Sequence, residues 1–264
     1  MKRSILIIIY ILAVMIVPAE LRADNTPQNL AAKQFVVVLD AGHGGKDTGA
    51  VGSQPGNREK DINLGITLEV GRLLQQNHPE IKYIYTRSTD VFVELGRRAE
   101  IANDAKADLF VSIHTNALPK GKQATGVQSY TLSLKTLGTN LEVEKRENSV
   151  IALEGDAAKK YNYSQSAEND IVFELMQDRD MQESVKFARM AQNEMVGTAG
   201  RANMGVLQAN LAVLRLSYMP SVLLEVGFIS TPAEEEFLMS QDGRKKMAEA
   251  IYNAIVRYKN LKMN

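Results

Sequence analysis

The sequence predicts an α/β fold: a single domain with a twisted, mostly parallel central sheet and helices on both faces. Three observations carry that expectation. Short runs rich in β-branched and aromatic residues recur along the chain, segments of helical period lie between them, and the strand-like runs are almost continuously apolar, as burial on both faces requires. The runs are "FVVVLD" (35–40), "IKYIYT" (81–86), "DLFVSIH" (108–114), "GVQSYTL" (126–132) and "SVLLEVGF" (221–228), each bounded by glycine, proline or charge. Ile62, Ile66, Val70, Leu73 and Leu74 keep helical spacing, as do Met247, Ile251, Ala254, Ile255 and Tyr258. A further helix is read around "ESVKFARMAQNEM" (183–195).

Ahead of this domain, Lys2 and Arg3 precede the apolar run "ILIIIYILAVMIV" (5–17), and "PAELRA" places small residues at Ala19 and Ala23. That is the pattern of a cleaved secretory signal over 1–23. The run is short for a membrane span of about 20 residues, so cleavage is expected, leaving no stable membrane anchor. Residues 24–34 read as a short linker and 35–262 as one domain. The absence of cysteine excludes a disulfide framework and a lipid-modified cysteine, so the domain must hold together by its core. Hydrophobic content of 45% and charged content of 23% are ordinary for a globular chain. Losing Lys2, Arg3, Arg22 and Glu20 takes the balance from 31 basic against 31 acidic to 28 against 30. Near neutrality argues against nucleic acid or an anionic membrane surface as the main partner.

In open α/β sheets, sites collect beyond the carboxyl ends of strands, and three of these strands end in unusual chemistry. "VVVLDAGH" delivers His43, "LFVSIH" delivers His114, and "SVLLEVG" carries Glu225. A carboxylate among Leu223, Leu224 and Val226 costs several kcal/mol to bury unless a cation or strong donors meet it. A metal held by the two histidines would supply that cation, and zinc suits imidazole nitrogen with carboxylate oxygen. Catalytic zinc keeps three protein ligands and one open position, so a third ligand is expected. Glu59, in "REKDINLG" at the start of a helix, is one candidate; Asp40, Asp47 and Asp61 are its rivals, and Glu225 is either a ligand or the base acting on water.

"LDAGHGGKDTGAVG", "REKDINL", "RRAEIANDAKADLFVSIHTNA" and "MPSVLLEVGFIS", in that order, resemble the successive motifs of the zinc-dependent N-acetylmuramoyl-L-alanine amidases of amidase family 3. The resemblance covers most of 35–132 and 181–240. It implies hydrolysis of the amide between N-acetylmuramic acid and the first alanine of the peptidoglycan stem, by an exported enzyme of the periplasm or cell envelope working in wall remodelling or daughter-cell separation. It assigns one zinc ion to His43, Glu59 and His114, the catalytic base to Glu225, and a substrate contact or turn role to Asn116. The family usually has proline where this chain has Ala41, a backbone position that leaves the ligands in place.

The glycine-rich turn does not fit other chemistry. Asp40 stands where a P-loop needs its first glycine, and Asp47 where the dinucleotide fingerprint needs its last. A two-histidine, one-carboxylate iron enzyme shares the ligand types but usually not the α/β scaffold. A wall-binding module with a vestigial site would not need all four polar residues. His78, before a proline, reads as an exposed turn, and Lys120 to Lys122 as a solvated loop.

Residues 133–180 form a long insert in which charge alternates with two apolar patches, 150–153 and 171–176. It resembles the insert of cell-division amidases, in which a helix covers the zinc cleft until an activator protein displaces it. An acidic side chain of the insert, Glu147 or Glu154, is expected to occupy the open zinc position, as a carboxylate oxygen readily does.

Overall fold

The computed structural model describes residues 33–133, 140–155 and 170–263, with 170–178 as backbone only. The expected export segment and nearly all of the linker lie outside the described residues, as do 134–139 and 156–169 of the insert.

The strands are β1 (Val36–Ala41), β2 (Lys82–Tyr85), β3 (Leu109–Asn116), β4 (Val127–Leu132), β5 (Asn203–Ala209) and β6 (Ser221–Phe228). They form one sheet in the order β2-β1-β3-β6-β4-β5. The β1–β2, β1–β3 and β3–β6 pairs are parallel, β4 runs antiparallel to β6, and β5 is parallel to β4. The sheet is therefore mostly parallel, as expected, with one reversal between β6 and β4.

Side chains alternate across the sheet with the period of two that a strand imposes. Val37 and Leu39, Leu109, Val111 and Ile113, and Val222, Leu224 and Val226 enter one buried cluster; Val38, Phe110 and Leu223 enter the other. The first cluster is closed by α1 (Glu59–Asn77), α4 (Asp170–Gly197), α6 (Pro232–Met239) and α7 (Gln241–Met263), through Ile62, Ile66, Phe187, Leu238, Met247 and Ile251 among others. The second face is thinner. There α2 (Leu95–Asp104) and α5 (Ala212–Arg215) contribute Leu95, Ala102 and Val213, and α3 (Leu141–Asn148) with the 3-10 turn Ser149–Leu153 contributes Val143 and Val150.

Local chemistry sets the helix starts. Glu59 and Asp61 lie in the first turn of α1, where the helix dipole favours negative charge, and Pro232 opens α6 with Glu234 and Glu235 behind it. β5 is the strand that sequence reading missed. It is an edge strand, half-exposed and interrupted by Gly205 at φ +99°, so it lacks the continuous apolar signal of its neighbours.

Candidate active site

His43 lies just past the end of β1 with φ at +61°, an uncommon conformation for a residue with a side chain. Two buried guanidinium groups hold it there. Arg98 donates to the carbonyl oxygens of Ala41 and His43, each at 2.7 Å, and Arg87 to those of Ala41 and Gly42, each at 2.9 Å. Arg98 is in turn paired with Asp40 at 2.6 Å, and Asp40 also accepts from Thr86 and Ser112. Burial penalises the Asp40 charge, but Arg98 and the two hydroxyls outweigh it and hold the carboxyl below its ordinary range.

The glycines make room for the side chains that meet here. A Cβ on Gly42 would lie 2.3 Å from His114 Nε2, and one on Gly49 would lie 2.6 Å from the His43 ring and 2.7 Å from Glu59 Oε2. Asp47, a rival ligand on sequence grounds, instead meets His43 Nδ1 at 2.7 Å. That contact leaves Nε2 facing the site, the usual way a carboxylate orients a metal-binding imidazole.

Glu59 is fully buried at the start of α1. Its carboxylate accepts from the backbone N–H of Ala50 at 2.8 Å and of Thr115 at 2.9 Å, and from Asn63 Nδ2 at 3.2 Å. His114 comes from β3, directly beside Glu225 on β6, and a register shift after His114 marks the rim of the sheet there.

Glu147, from α3, completes the group. Its Oε2 lies 2.8 Å from His114 Nδ1 and 3.3 Å from His43 Nε2, while Glu59 Oε1 lies 3.3 Å and 3.2 Å from the same two nitrogens. Donor atoms of all four residues lie within 4.8 Å of one another. Four ligands about 2.1 Å from a tetrahedral ion stand about 3.4 Å apart, so these spacings fit one zinc-sized cation. The orphaned atoms agree: His43 Nε2, His114 Nδ1 and Glu147 Oε2 are buried without a hydrogen-bond partner, close together but not aligned to bond each other. Burial alone would lower both imidazoles and raise both carboxylates. Glu59 outweighs it at His43, which is raised well above its usual value, and Glu147 at His114, which rises to about 9. Glu59 and Glu147 are both held low by the histidines, so both offer charged oxygens.

Arg146, which sequence reading missed, is the other contact that α3 makes. It donates to Glu225 Oε1 at 2.9 Å, to Glu147 Oε1 at 2.7 Å and to Asn116 Oδ1 at 2.9 Å. Its neighbour in an acidic insert was its only signal. Glu225 Oε2 is buried without a partner. Burial pushes Glu225 up to about 8, Arg146 pulls against it, and Glu147 and Glu59 add to the rise. Asn116 Nδ2 donates to Gln128 Oε1 at 2.9 Å, joining the end of β3 to β4 across the intervening β6.

Glu154 does not join the metal group; its Oε1 accepts from the backbone N–H of Leu95 at 2.8 Å, at the start of α2. Asp40 is likewise spent on Arg98. His78 ends α1 and meets Glu80 at 2.9 Å, away from the site.

The Amidase_3 family, described as N-acetylmuramoyl-L-alanine amidase, matches residues 37–257. N-acetylmuramoyl-L-alanine amidase AmiC of Neisseria meningitidis serogroup B is 33% identical over 92% of this chain and 58% of its own length. AmiA of Escherichia coli K12, of the same name, is 33% identical over 84% of this chain and 75% of its own. This chain thus spans little more than half of AmiC. Among solved structures, the CwlD amidase of Clostridioides difficile in complex with the GerS lipoprotein has a TM-score of 0.64 and 26% identity, over 86% of this chain and 99% of that one. The chain belongs to the Amidase_3 family of N-acetylmuramoyl-L-alanine amidases.

Proposed function

We propose that this chain is a zinc-dependent amidase that hydrolyses the bond between N-acetylmuramic acid and L-alanine in peptidoglycan, acting outside the cytoplasmic membrane, with α3 as a built-in inhibitor. The observation that carries the reading is the convergence of unpartnered, buried donors from His43, His114 and Glu147 with Glu59, beside the equally buried Glu225.

His43, Glu59 and His114 would hold the ion. When bound, zinc supplies a Lewis acid for the scissile carbonyl and brings water toward ionisation at a pH near 7. The protein's own residues do the rest. Glu225, the direct partner of His114 across the β3–β6 pair, accepts the proton of the attacking water and passes it to the departing alanine nitrogen. Asp47 keeps His43 turned with Nε2 toward the ligand site, and Asn63 with the Thr115 N–H does the same for Glu59.

In this arrangement α3 would oppose the reaction at two points: Glu147 would hold an ion beside the two histidines where water would otherwise bind, and Arg146 pairs with Glu225 through Oε1. Turnover therefore requires α3 to leave. The complex of CwlD with GerS is a precedent in the family for a protein partner, and a partner that binds the open form of this chain would shift the balance.

Digestion of purified peptidoglycan, with and without a chelator, tests the reaction. New stem peptides beginning with alanine, formed only when metal is present, are the expected product. Products with any other amino terminus would overturn the reading.

A further inference from the structure

The guanidinium of Arg146 sits among oxygens that α3 does not carry. Its Nη1 donates to Asn116 Oδ1 at 2.9 Å and to the carbonyl oxygen of Ala117 at 3.0 Å, while Nη2 donates to Glu225 Oε1 at 2.9 Å. These acceptors belong to β3, to the residue after it and to β6, so they remain when α3 leaves. The fourth partner, Glu147 Oε1, is part of α3 and leaves with it.

The sheet sets the direction of these acceptors. Glu225 is paired with His114 on one side and with Gln128 on the other, so the three side chains share one face. Asn116 lies two residues beyond His114, and its Nδ2 donates to Gln128 Oε1 at 2.9 Å. With the amide nitrogen tied in this way, Oδ1 is the atom left for Arg146. Asn116 is 2% exposed and Glu225 is fully buried, so acceptors stripped of their donor here carry a desolvation cost.

Neutralising Glu225 asks only for a positive charge nearby. Two of the four Arg146 bonds go instead to neutral carbonyl oxygens, and those bonds fix where a nitrogen must sit. Two carbonyl oxygens beside a carboxylate are the acceptors that a primary ammonium, with three N–H donors, requires.

The reaction makes such a group at this place. Hydrolysis breaks the bond between the acyl carbon and the alanine nitrogen. The carbon keeps the oxygen of water, and Glu225 hands the water's proton to the nitrogen, which must lie within hydrogen-bond reach to receive it. The acid formed then gives up its proton and the amine takes one up, since an α-amino group titrates near 8. The products are a carboxylate on the sugar and an ammonium on the peptide.

We infer that the place of the Arg146 guanidinium, between Glu225, Asn116 and Ala117, is the seat of the amino group that the reaction releases. Helix α3 then closes the enzyme with a product-like cation, and peptides with an unblocked amino-terminal alanine compete with Arg146 for the seat. Gln128 is a positioning residue that keeps the oxygen of Asn116 inward. The inference rests on the amidase reading above.

The test uses the full chain, zinc-loaded and carrying Arg146→Ala and Glu147→Ala. It is titrated calorimetrically at pH 7 with L-alaninamide and with N-acetyl-L-alaninamide, which has no ammonium. L-alaninamide should bind this variant about tenfold more tightly than the acetylated compound does, and about tenfold more tightly than it binds the intact chain. In the same background Asn116→Leu removes one acceptor and should weaken the binding about tenfold, whereas Asn116→Asp keeps the shape, adds charge and should tighten it severalfold. An amine held by zinc instead does not respond to Asn116. Equal binding of the two compounds, or binding unchanged by both substitutions, overturns the seat, and cleavage of peptidoglycan by the same variant leaves the amidase reading standing. A folded, zinc-loaded variant that releases no alanine-terminated peptide overturns the amidase reading and this inference with it. Should Asn116→Leu fail to fold, Asn116→Asp decides alone, and unchanged or weaker binding overturns the inference.

Discussion

The metal cradle and the helix that covers it are both buried, yet they are held in different ways. The cradle is tied to backbone: two guanidinium groups grip the carbonyls of 41–43, and Glu59 is fixed by the N–H groups of Ala50 and Thr115. Its geometry cannot relax without breaking the sheet end itself. The cover is tied on by side chains. Val143 and Val150 enter the thinner apolar layer, Asn140, Glu144 and Asn148 grip 208–212, Lys46 reaches Leu153 O at 2.6 Å, and Glu154 meets Leu95 N. At 8 residues α3 is too short to be stable alone in water, so these attachments make and break together. The lesson is that a rigid site and a covering helix can share one buried cluster although only one of them is built into the backbone.

The sharpest way to break the cradle is His114→Ala. Zinc and activity should disappear together, since a ligand is lost from a set of three. Elemental analysis checks this, and full zinc occupancy in the variant would reject the ligand assignment.

Glu225→Gln separates chemistry from binding. It keeps the shape and one acceptor, so zinc should remain while hydrolysis falls by a factor on the order of 10² to 10⁴. A variant with wild-type rates would mean that another group is the base.

Asp40→Asn tests how far the cradle depends on its buried arginine clamp. Leaving Arg98 without its counter-charge should cost about 3–5 kcal/mol, read by chemical denaturation. Asp40 has a lowered pKa in the folded state, so its stabilisation is present above about pH 4 and is lost as pH falls through that lower value. The gap between wild type and variant should therefore narrow in strong acid. A gap independent of pH would show that the charge of Asp40 is not what matters.

Loosening the cover should have the smallest effect and the opposite sign. Val150→Asn removes an apolar anchor of the second cluster, which contributes about 2 kcal/mol, so basal activity on purified peptidoglycan should rise on the order of tenfold. Equal basal rates in the two folded, zinc-loaded proteins would mean that α3 does not restrain the enzyme.

Much of the fold was legible because double-sided burial leaves a strong mark: β1, β3 and β6 are buried almost from end to end and mostly apolar, and the site lies at their carboxyl ends. β5 was not, because an edge strand with one neighbour needs little apolar surface. The candidate ligands His43 and His114 and the buried Glu225 stood out as polar residues where apolar ones were expected. Glu147 could be proposed only as one of two acidic residues in the insert, and the structure places Glu147, not Glu154, in the metal group. Nothing local distinguishes them, since which one faces the site depends on the turn of α3 against 208–212.

By itself the sequence determined the α/β class, the family and the chemical types gathered at the strand ends, because period, burial and motif order are properties of residues read in line. Tertiary structure alone decided that Arg98 and Arg87 clamp the His43 turn, that Asp47 meets His43 Nδ1, and that Arg146 meets Glu225. Each of those pairings joins residues that are distant in sequence or equally plausible for several partners, and only the approach of the elements in space selects one.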